Sequence, residues 1–290
     1  MVDVSRKRIA KFLVTGTSGY VGSQIKEFLI NKGCHLSEAV HGNPKNLDTF
    51  KFSLGDVLDP RAFDNVTTLI HCAYDMKAVT WEDIYKKNVC GSRLLFRQAL
   101  DCGVEMIILI STISAFENTQ SLYGKAKLLI EEEVLNIGGA VVRPGLIYGD
   151  HPGGMVGKLN ASLTRSILIP IIGRHQMMYL CHQNDLSALI YLISTDKDLD
   201  TSKPIVAASS EGYRFIDFLR ILSNSLEKRH IFVPIPWQII WMTLKCFELF
   251  GIKLGYKSDS IVNLMHVNLK LDFGPTLKTN NKFRPYRGTP

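Results

Sequence analysis

The sequence predicts an α/β fold in which a doubly wound parallel sheet forms the main domain and a smaller, mostly helical region follows it. Three observations support this prediction: short apolar runs alternate with helical patterns in the first half, a glycine-rich turn joins the first run to the first helix, and the pattern changes after Gly149. Strands that alternate with helices favour a parallel sheet covered on both faces. Right-handed crossovers between such strands give a doubly wound arrangement.

Five short apolar runs in the first half have the length and composition of buried strands. The first helix is predicted over residues 21–31, because Ile25, Phe28 and Leu29 share one helical face and Gly33 is a favourable helix stop. The predicted strands are residues 9–15, 35–41, 67–73, 104–111 and 139–143.

The C-terminal half is less regular, because proline and glycine at 152–154 and Pro170 interrupt it before a predicted strand at 176–182. We expect residues 1–150 to form the main domain, and residues 151–290 to form a smaller substrate-binding cap whose segments partly return to the main sheet. The polar stretch 276–285 is expected to lie on the surface. Helices are predicted over residues 184–194, 215–226, 236–249 and 258–269.

Length and composition restrict the class of protein. A chain of 290 residues is long enough for one large domain, or for a main domain with a smaller partner. Its 46% hydrophobic and 21% charged residues are typical of a soluble globular protein, which excludes a disordered tail, a collagen-like repeat and a small disulfide scaffold. The six cysteines form no CxxC pair and no zinc-like spacing with histidine, so we expect reduced thiols and no bound metal.

The formal net charge of +7 is compatible with nucleic acid, a membrane surface or an anionic substrate as partner. No basic run interleaved with aromatic residues indicates a recognition module, so we expect no nucleic-acid partner. Pro234, Pro236, Lys245 and Glu248 interrupt the apolar segment 231–250, which disfavours a transmembrane helix. A helix packed on the fold is the preferred interpretation, with contact at a membrane surface as the alternative.

The N-terminus predicts a cytoplasmic protein. Residues 1–8 are polar and lead directly into the first strand, without the apolar core of a signal peptide.

The turn after the first strand has the spacing of a dinucleotide site, with glycine at positions 16, 19 and 22 immediately before a helix. Glycine at these positions lets the chain turn tightly, lets backbone N–H groups approach a pyrophosphate, and lets the helix pack close to the sheet. The helix N-terminus adds a dipole that favours the anion. The predicted cofactor-binding residues of this turn are Gly16, Ser18, Gly19, Tyr20, Val21 and Gly22.

Seven further motifs follow this turn in order, namely GDV at 55–57, HCA at 71–73, NVxGS at 88–92, IST at 110–112, YGKAK at 123–127, RPGLIYG at 143–149 and HQNDL at 182–186. This succession resembles the short-chain dehydrogenase/reductase superfamily, in its extended, epimerase/dehydratase-like branch. The resemblance covers residues 12–186 and is loose beyond them. It implies a Rossmann-like fold and an NAD(P)-dependent oxidoreductase or epimerase. Members of this branch often dimerise through helices of the main domain, so a homodimer is among the expectations.

The resemblance also assigns further cofactor contacts. Asp56 and Val57 are expected beside the adenine, Ala73 and Ser111 along the cofactor, and Pro144 to Ile147 beside the nicotinamide. At the end of the second strand, where an acid would bind the ribose hydroxyls, no acid is present, and His41 with Lys45 suits a phosphate. This pattern favours NADP, with NAD as the alternative because Glu38 is close.

Tyr123 and Lys127 are four residues apart, so both lie on one face of a helix. An ammonium beside a phenol stabilises the phenolate, so we expect Lys127 to lower the pKa of Tyr123 toward neutrality. Such a tyrosine exchanges a proton with a carbonyl or hydroxyl while hydride moves to or from the cofactor. Thr112 ends a strand at the ligand-binding edge of the sheet and is expected to hydrogen-bond the reacting oxygen, with Asn88 in support.

The expected substrate is a nucleotide-linked sugar, which enzymes of this branch often use. Only 11 positions separate Thr112 from Tyr123, and Ile113-Ser114 replaces the acidic pair of sugar dehydratases, so a plain reductase or dehydrogenase is favoured. We predict reduction of a 4-keto nucleotide sugar, or the reverse oxidation, in surface-polysaccharide biosynthesis. The cationic candidates for a diphosphate are Arg143, Lys158, Arg165 and Arg174.

Three alternatives remain open from the sequence. The first is a nucleotide-sugar epimerase, and the second is a reductase of an apolar sterol-like or flavonoid-like ketone. The third is a sensor or assembly protein that binds the dinucleotide without catalysis, against which the Tyr123 and Lys127 pair counts.

Overall fold

Within the residues that the structure describes, the main sheet contains seven strands, all parallel, in the order β10-β6-β5-β4-β1-β2-β3. The structure is a computed structural model that describes residues 11–44, 46–150, 153–252, 256–268 and 270–288. The order of the first six strands, 3-2-1-4-5-6, confirms the predicted doubly wound fold. The strands are β1 (Lys11–Thr15), β2 (His35–Val40), β3 (Thr49–Lys51), β4 (Val66–His71), β5 (Met106–Ile110), β6 (Ala140–Pro144) and, from the C-terminal half, β10 (Ile205–Ala207).

Helices cover both faces of this sheet and form much of the C-terminal half. A π-helical turn at Tyr85–Cys90 joins the second and third helices, and a 3₁₀ turn occupies Pro60–Phe63. The α-helices are α1 (Tyr20–Asn31), α2 (Trp81–Ile84), α3 (Gly91–Asp101), α4 (Leu122–Asn136), α5 (Gly154–Arg165), α6 (Gln183–Thr195), α7 (Phe215–Ser225), α8 (Trp237–Leu249), α9 (Ser258–Met265) and α10 (Gly274–Lys278).

Strand alternation divides the main core between the two faces of the sheet. On β5, Ile107 and Leu109 join a buried cluster with α3 and α4, whereas Ile108 and Ile110 join a second cluster with α1 and α6. Successive side chains of a strand point to opposite faces, so an unbroken apolar run is what a strand covered on both sides requires.

The C-terminal half adds two small sheets to its helices. Strands β7 (Leu146–Tyr148), β9 (Met177–His182) and β11 (Gly212–Arg214) form one, and β8 (Leu168–Ile171) with β12 (Ile231–Pro234) forms the other. Their apolar side chains pack with α5 and α7 in a third cluster around Phe218. The chain also returns to the main domain, because α6 packs on α1 and β10 pairs with β6.

Several boundaries differ from the sequence-based expectations. Strand β3 was not predicted, because three residues are too few to show an alternating pattern. Helix α9 ends at Met265, and position 269 of the predicted helix lies outside the described residues, as do residues 9, 10, 45 and 152.

The expectation that residues 276–285 lie on the surface is wrong for part of that stretch. Thr276 and Thr279 are buried, and Phe283 packs against the second core cluster. The Arg284 guanidinium pairs with the buried carboxylate of Asp185, with Nε 3.0 Å from Oδ1. The C-terminal segment is therefore anchored to α6 by specific contacts that its polar composition does not reveal.

No helix within the described ranges is long and apolar enough to cross a membrane.

Candidate active site

The C-terminal ends of β4, β5 and β6 meet the start of α1 around a cavity of about 220 Å³. The predicted site residues that the fold brings together in its wall are Tyr20, Val21, Ser111, Thr112, Tyr123, Lys127, Pro144, Gly145, Leu146 and Ile147. Its wall also includes Cys72, Tyr74, Ile110, Gly154 and Met155. The predicted residues that do not line it are Gly16, Ser18, Gly19, Gly22, His41, Asp56, Val57, Ala73 and Asn88.

The glycine-rich turn has the geometry that a bound pyrophosphate needs. Gly16 has φ +74°, and a Cβ there would lie 2.9 Å from the backbone nitrogen of Ala73. A Cβ on Gly22 would lie 2.3 Å from the Gly16 carbonyl oxygen, so both positions require glycine. Gly19 begins α1 without a side-chain cap, and the first turn contains no acid. The N-terminus of α1 therefore fits an anionic group.

The turn is held against β4 by a buried polar network. The Ala73 N–H donates to the Thr15 hydroxyl at 3.2 Å, and that hydroxyl contacts His71 Nδ1 at 2.8 Å. The other ring nitrogen of His71 lies 2.9 Å from the Ser92 hydroxyl. Burial lowers the pKa of His71 to about 3, so the ring is neutral at physiological pH. This network is structural and keeps the Ala73 segment close to Gly16.

Glu38 lies in β2, two residues before the end of the strand, and is engaged by the protein itself. Its carboxylate accepts from the Thr17 hydroxyl at 2.8 Å and pairs with the Lys26 ammonium at 2.8 Å. Val40 ends the strand, and the exposed His41 follows, with Nδ1 3.1 Å from the Ser53 hydroxyl. The Glu38 carboxylate is therefore already paired within the protein.

Asp56 and Val57 lie on an exposed loop after β3. The Asp56 N–H donates to the Ser53 carbonyl at 3.0 Å, and the Val57 side chain is 71% exposed. The backbone of this loop packs against the start of α3, because a Cβ on Gly91 would lie 2.6 Å from the Gly55 nitrogen. Asp56 and Val57 are thus neighbouring exposed side chains on a loop whose backbone packs against α3.

Tyr123 and Lys127 lie in the first and second turns of α4, on the face that borders the cavity. The Lys127 ammonium is buried and donates to the Ile110 carbonyl at 2.7 Å. It also lies 5.2 Å from the centre of the Tyr74 ring, which contacts the Tyr123 ring edge-to-face at 4.9 Å. Lysine has three N–H donors, so its contact with Ile110 does not exhaust them.

The prediction that Lys127 lowers the pKa of Tyr123 is wrong for this structure. Burial, followed by the nearby Glu131 carboxylate, raises the pKa of Tyr123 to about 12. Burial lowers the pKa of Lys127 to about 8. Desolvation disfavours the charged form of each group, and the nearby charge that acts on Tyr123 is the Glu131 carboxylate. The Tyr123 phenol is therefore a protonated acid at neutral pH.

Glu131, which the sequence analysis did not single out, lies one turn beyond Lys127 on α4. It accepts from the Ser111 hydroxyl and from Arg143, whose Nε is 2.9 Å from Oε1. The four-residue spacing of positions 123, 127 and 131 is the sequence signal that could have identified Glu131, since every fourth residue returns to one helical face. Arg143 was expected to bind a diphosphate, but its guanidinium is instead paired with this buried carboxylate.

Thr112 lines the cavity, whereas Asn88 does not. The Thr112 hydroxyl accepts from the Ser114 N–H at 3.2 Å and borders the cavity. Asn88 is buried in the π-helical turn, where its side chain accepts from the Asp75 N–H at 2.6 Å and donates to the Asp75 carbonyl at 3.3 Å. Asn88 therefore holds the segment that carries Tyr74.

The N-terminus of α4 is capped from the C-terminal half of the chain. Asp259 of α9 accepts from the Leu122 N–H at 2.7 Å and from the Tyr123 N–H at 3.1 Å, while the Ser121 hydroxyl accepts from Gly124. A carboxylate at a helix N-terminus satisfies free N–H groups and complements the helix dipole. No sequence signal pointed to Asp259, because 136 residues separate it from Tyr123.

The short connection between Thr112 and Tyr123 packs directly on α4. A Cβ on Gly124 would lie 2.4 Å from the Ser114 carbonyl oxygen, so glycine is required for this close approach. The connection turns at once, with the Ala115 N–H donating to the Thr112 carbonyl at 3.1 Å. The loop therefore stays close to α4.

The other cationic candidates lie in the C-terminal half. Lys158 Nζ lies 5.4 Å from the centre of the Tyr256 ring, Arg174 Nε donates to His175 at 2.8 Å, and Arg165 is exposed at the end of α5. In the part of the chain that the structure describes, no group of three His, Cys, Asp or Glu residues is arranged to hold a metal ion.

Comparisons with known proteins agree with this geometry. The model of the NAD dependent epimerase/dehydratase family matches residues 12–208. A UDP-glucose 4-epimerase of Vibrio cholerae is 26% identical over 96% of this chain and 92% of its own length.

Two of the solved structures that are similar to this chain overlap with most of its length. The crystal structure of gox2253 has a TM-score of 0.73 at 20% identity and covers 95% of this chain and 94% of its own. MoeE5 in complex with UDP-glucuronic acid and NAD has a TM-score of 0.68 at 18% identity, covering 78% of this chain and 85% of its own.

The protonation state of Tyr123 leads to a spectroscopic prediction. With a pKa of about 12, Tyr123 is un-ionised at moderately alkaline pH, so the protein and its Tyr123→Phe variant should show the same tyrosinate absorbance there. The measurement is an ultraviolet difference spectrum between neutral pH and about pH 10.5, where an ordinary tyrosine with a pKa of about 10 is mostly ionised. One additional tyrosinate in the unsubstituted protein would contradict the raised pKa.

The Asp259 cap leads to a second prediction. Asp259→Ala should lower the free energy of unfolding by about 1–2 kcal/mol, the usual cost of losing a helix cap. At temperatures where the variant is still folded, Asp259→Ala should also have a lower kcat, because the backbone of Tyr123 loses a hydrogen-bond acceptor. Asp259→Asn retains one acceptor oxygen and should recover part of that loss.

The matched control for Asp259 is Asp217→Ala, which removes an exposed acid from the first turn of α7. It should change the free energy of unfolding by less than about 0.5 kcal/mol. An equal kcat for Asp259→Ala and the unsubstituted protein would refute the positioning role.

Proposed function

Because the chain belongs to the NAD-dependent epimerase/dehydratase family, we propose that it reduces a keto carbon of a nucleotide-linked sugar with an NAD(P) cofactor, or catalyses the reverse oxidation. The observation that carries this proposal is the un-ionised Tyr123 phenol, which borders one cavity together with Lys127 and Thr112. Reduction of a carbonyl needs an acid at the oxygen, and a protonated phenol that borders the cavity supplies one.

The chain's own residues account for proton handling in this reaction. Tyr123 Oη delivers its proton to the substrate oxygen during reduction and removes it during oxidation. The Lys127 ammonium borders the same cavity and has N–H donors beyond the one that contacts Ile110, so it would hydrogen-bond a bound cofactor or substrate. The Thr112 hydroxyl offers a hydrogen bond to the same oxygen. The cofactor, held at Gly16, Gly19 and Gly22, supplies or accepts the hydride when bound.

A nucleotide sugar is the favoured substrate class. The similar protein of Vibrio cholerae is named a UDP-glucose 4-epimerase, and MoeE5 is described in complex with UDP-glucuronic acid. Arg143 is paired with Glu131, so Arg165, Arg174 and Lys158 are the remaining candidates for a diphosphate. A 4-keto sugar is the form we propose, in keeping with a role in surface-polysaccharide synthesis.

Epimerisation is the second candidate, because the similarity to the Vibrio cholerae epimerase extends over nearly the whole of both chains. An epimerase performs the same hydride and proton transfers twice, and the keto sugar must rotate within the site between the two transfers. The loop between Thr112 and Tyr123 is short and packed on Gly124, which favours a single transfer.

One experiment separates these reactions. The purified protein should consume NADPH in proportion to an added UDP-4-keto-hexose. Conversion of UDP-glucose to UDP-galactose without net cofactor consumption would instead establish the epimerase. No turnover of either substrate class would overturn the nucleotide-sugar proposal.

The Tyr123→Phe variant should lose about 100-fold or more in kcat, because the proton donor is removed, while cofactor affinity changes little. Tyr85→Phe, at an exposed tyrosine of the π-helical turn, is the control and should retain full activity. Unchanged kcat in Tyr123→Phe would contradict its role.

The tip of β2 supports a preference for NADP, which we test by adding an acid there. Val40→Asp should tighten NADH binding and weaken NADPH binding, each by about tenfold, because a carboxylate accepts from ribose hydroxyls and repels a phosphate. Calorimetric titration of both cofactors measures the ratio, with Val40→Asn as the uncharged control. Tighter binding of NADH by the unsubstituted protein would contradict the preference.

A further inference from the structure

Helix α8 is apolar around most of its circumference yet lies at the surface. Nine of its 13 residues are apolar, but Leu244 alone among them is buried. A helix with this composition normally lies in a protein core or in lipid. Its inner side packs on α9, and its outer side has no neighbour among the described residues that buries it.

The outer side forms one continuous stripe. Ile239, Met242, Cys246 and Leu249 are spaced by three or four residues, so they lie on one helical face. Ile239, Met242 and Leu249 are 52%, 57% and 77% exposed, and Phe250, which follows the helix, is 81% exposed. Single exposed apolar side chains are common, but a contiguous set of this kind marks an interaction surface.

Basic residues outnumber acids along residues 227–252. Glu248 accepts from the Ser258 N–H at 2.8 Å and from the Ser258 hydroxyl at 2.7 Å, and it pairs with the Lys245 ammonium at 3.8 Å. Lys245, Lys228 and Arg229 are exposed, against the exposed Glu227, and the whole chain carries a formal charge of +7. An apolar stripe on a chain with a net positive charge complements an anionic lipid surface.

The dimensions of α8 exclude a transmembrane helix and disfavour a second copy of this chain as the partner of the stripe. A helix of 13 residues is about 20 Å long, shorter than the hydrocarbon core of a bilayer. One face of it, about 20 Å by 10 Å, is far smaller than the area of about 800 Å² that each partner contributes to a stable dimer. A bilayer needs no such area, because lipid closes around each inserted side chain.

We propose that α8 and Phe250 form an interfacial helix that docks this protein on an anionic membrane. The helix lies in the plane of the surface, with the stripe inserted among the acyl chains and the basic residues at the headgroups. This docking is independent of the reaction proposed above, because none of the stripe residues lines the cavity beside Tyr123.

Vesicle sedimentation tests the proposal. The full chain should pellet with phosphatidylcholine vesicles that contain phosphatidylglycerol, and binding should fall at high salt and with phosphatidylcholine alone. The double variant Leu249→Ser/Phe250→Ser should bind at least about tenfold more weakly, because two inserted apolar side chains are lost. Leu277→Ser, which removes a 78% exposed leucine from α10, is the matched control and should bind normally.

A fluorescent label locates the contact. In a Cys90→Ser/Cys102→Ser variant, an environment-sensitive fluorophore on the exposed Cys246 should shift to shorter wavelength on anionic vesicles. The same label on exposed Cys90, with Cys102 and Cys246 replaced by serine, should not shift.

Each alternative outcome overturns the proposal. Equal vesicle binding by the Leu249→Ser/Phe250→Ser variant would exclude the stripe, and equal binding to neutral vesicles would exclude the anionic surface. A dimer in sedimentation velocity that the double variant dissociates, without vesicle binding, would assign the stripe to a second copy. All the substitutions are at exposed positions, and an unchanged melting temperature would verify that the variants are folded.

Discussion

A buried ion pair and its hydrogen bonds join three elements whose residues line the cavity. Glu131 of α4 accepts from Arg143 of β6 and from Ser111 at the end of β5. A carboxylate in this environment is stable only when it is paired and fully hydrogen-bonded, so the contact defines where α4 lies on the sheet. Tyr123 and Lys127 precede Glu131 on the same helical face. The pair that positions Glu131 therefore also directs the phenol and the ammonium toward the cavity.

The other end of α4 is held by the C-terminal half of the chain. Asp259 accepts from the first two N–H groups of the helix, and its neighbour Ser258 donates twice to Glu248 of α8. Two adjacent residues of α9 thus connect the surface helix α8 to the helix that carries Tyr123. The C-terminal half therefore supplies part of the support for the helix that carries Tyr123.

The same burial that assembles the site sets its protonation state. Desolvation raises the pKa of Tyr123 and lowers the pKa of Lys127, so each is shifted toward its neutral form. Helix spacing alone suggested the opposite for Tyr123, because it takes account of the attraction between the two groups and not of the loss of water around them. A phenol held in its acidic form suits proton delivery to a carbonyl oxygen, which is the direction of reaction favoured above.

Local patterns made much of this molecule predictable. The parallel strands, the first helix, the glycine turn and the spacing of Tyr123 and Lys127 each depend on a few consecutive residues, and the family match supports the class of protein that they indicate. Strand β3, at three residues, was too short to carry such a pattern.

The sequence by itself determined the fold class, the glycine turn and the tyrosine–lysine face, because backbone periodicity and glycine geometry are properties of short segments. The tertiary structure decided that Arg143 pairs with Glu131, that Asp259 caps the helix of Tyr123 and that Phe283 is packed inside. It also decided the protonation of Tyr123 and the exposure of α8. These features depend on burial and on contacts between residues as far as 137 positions apart, and no local period encodes them.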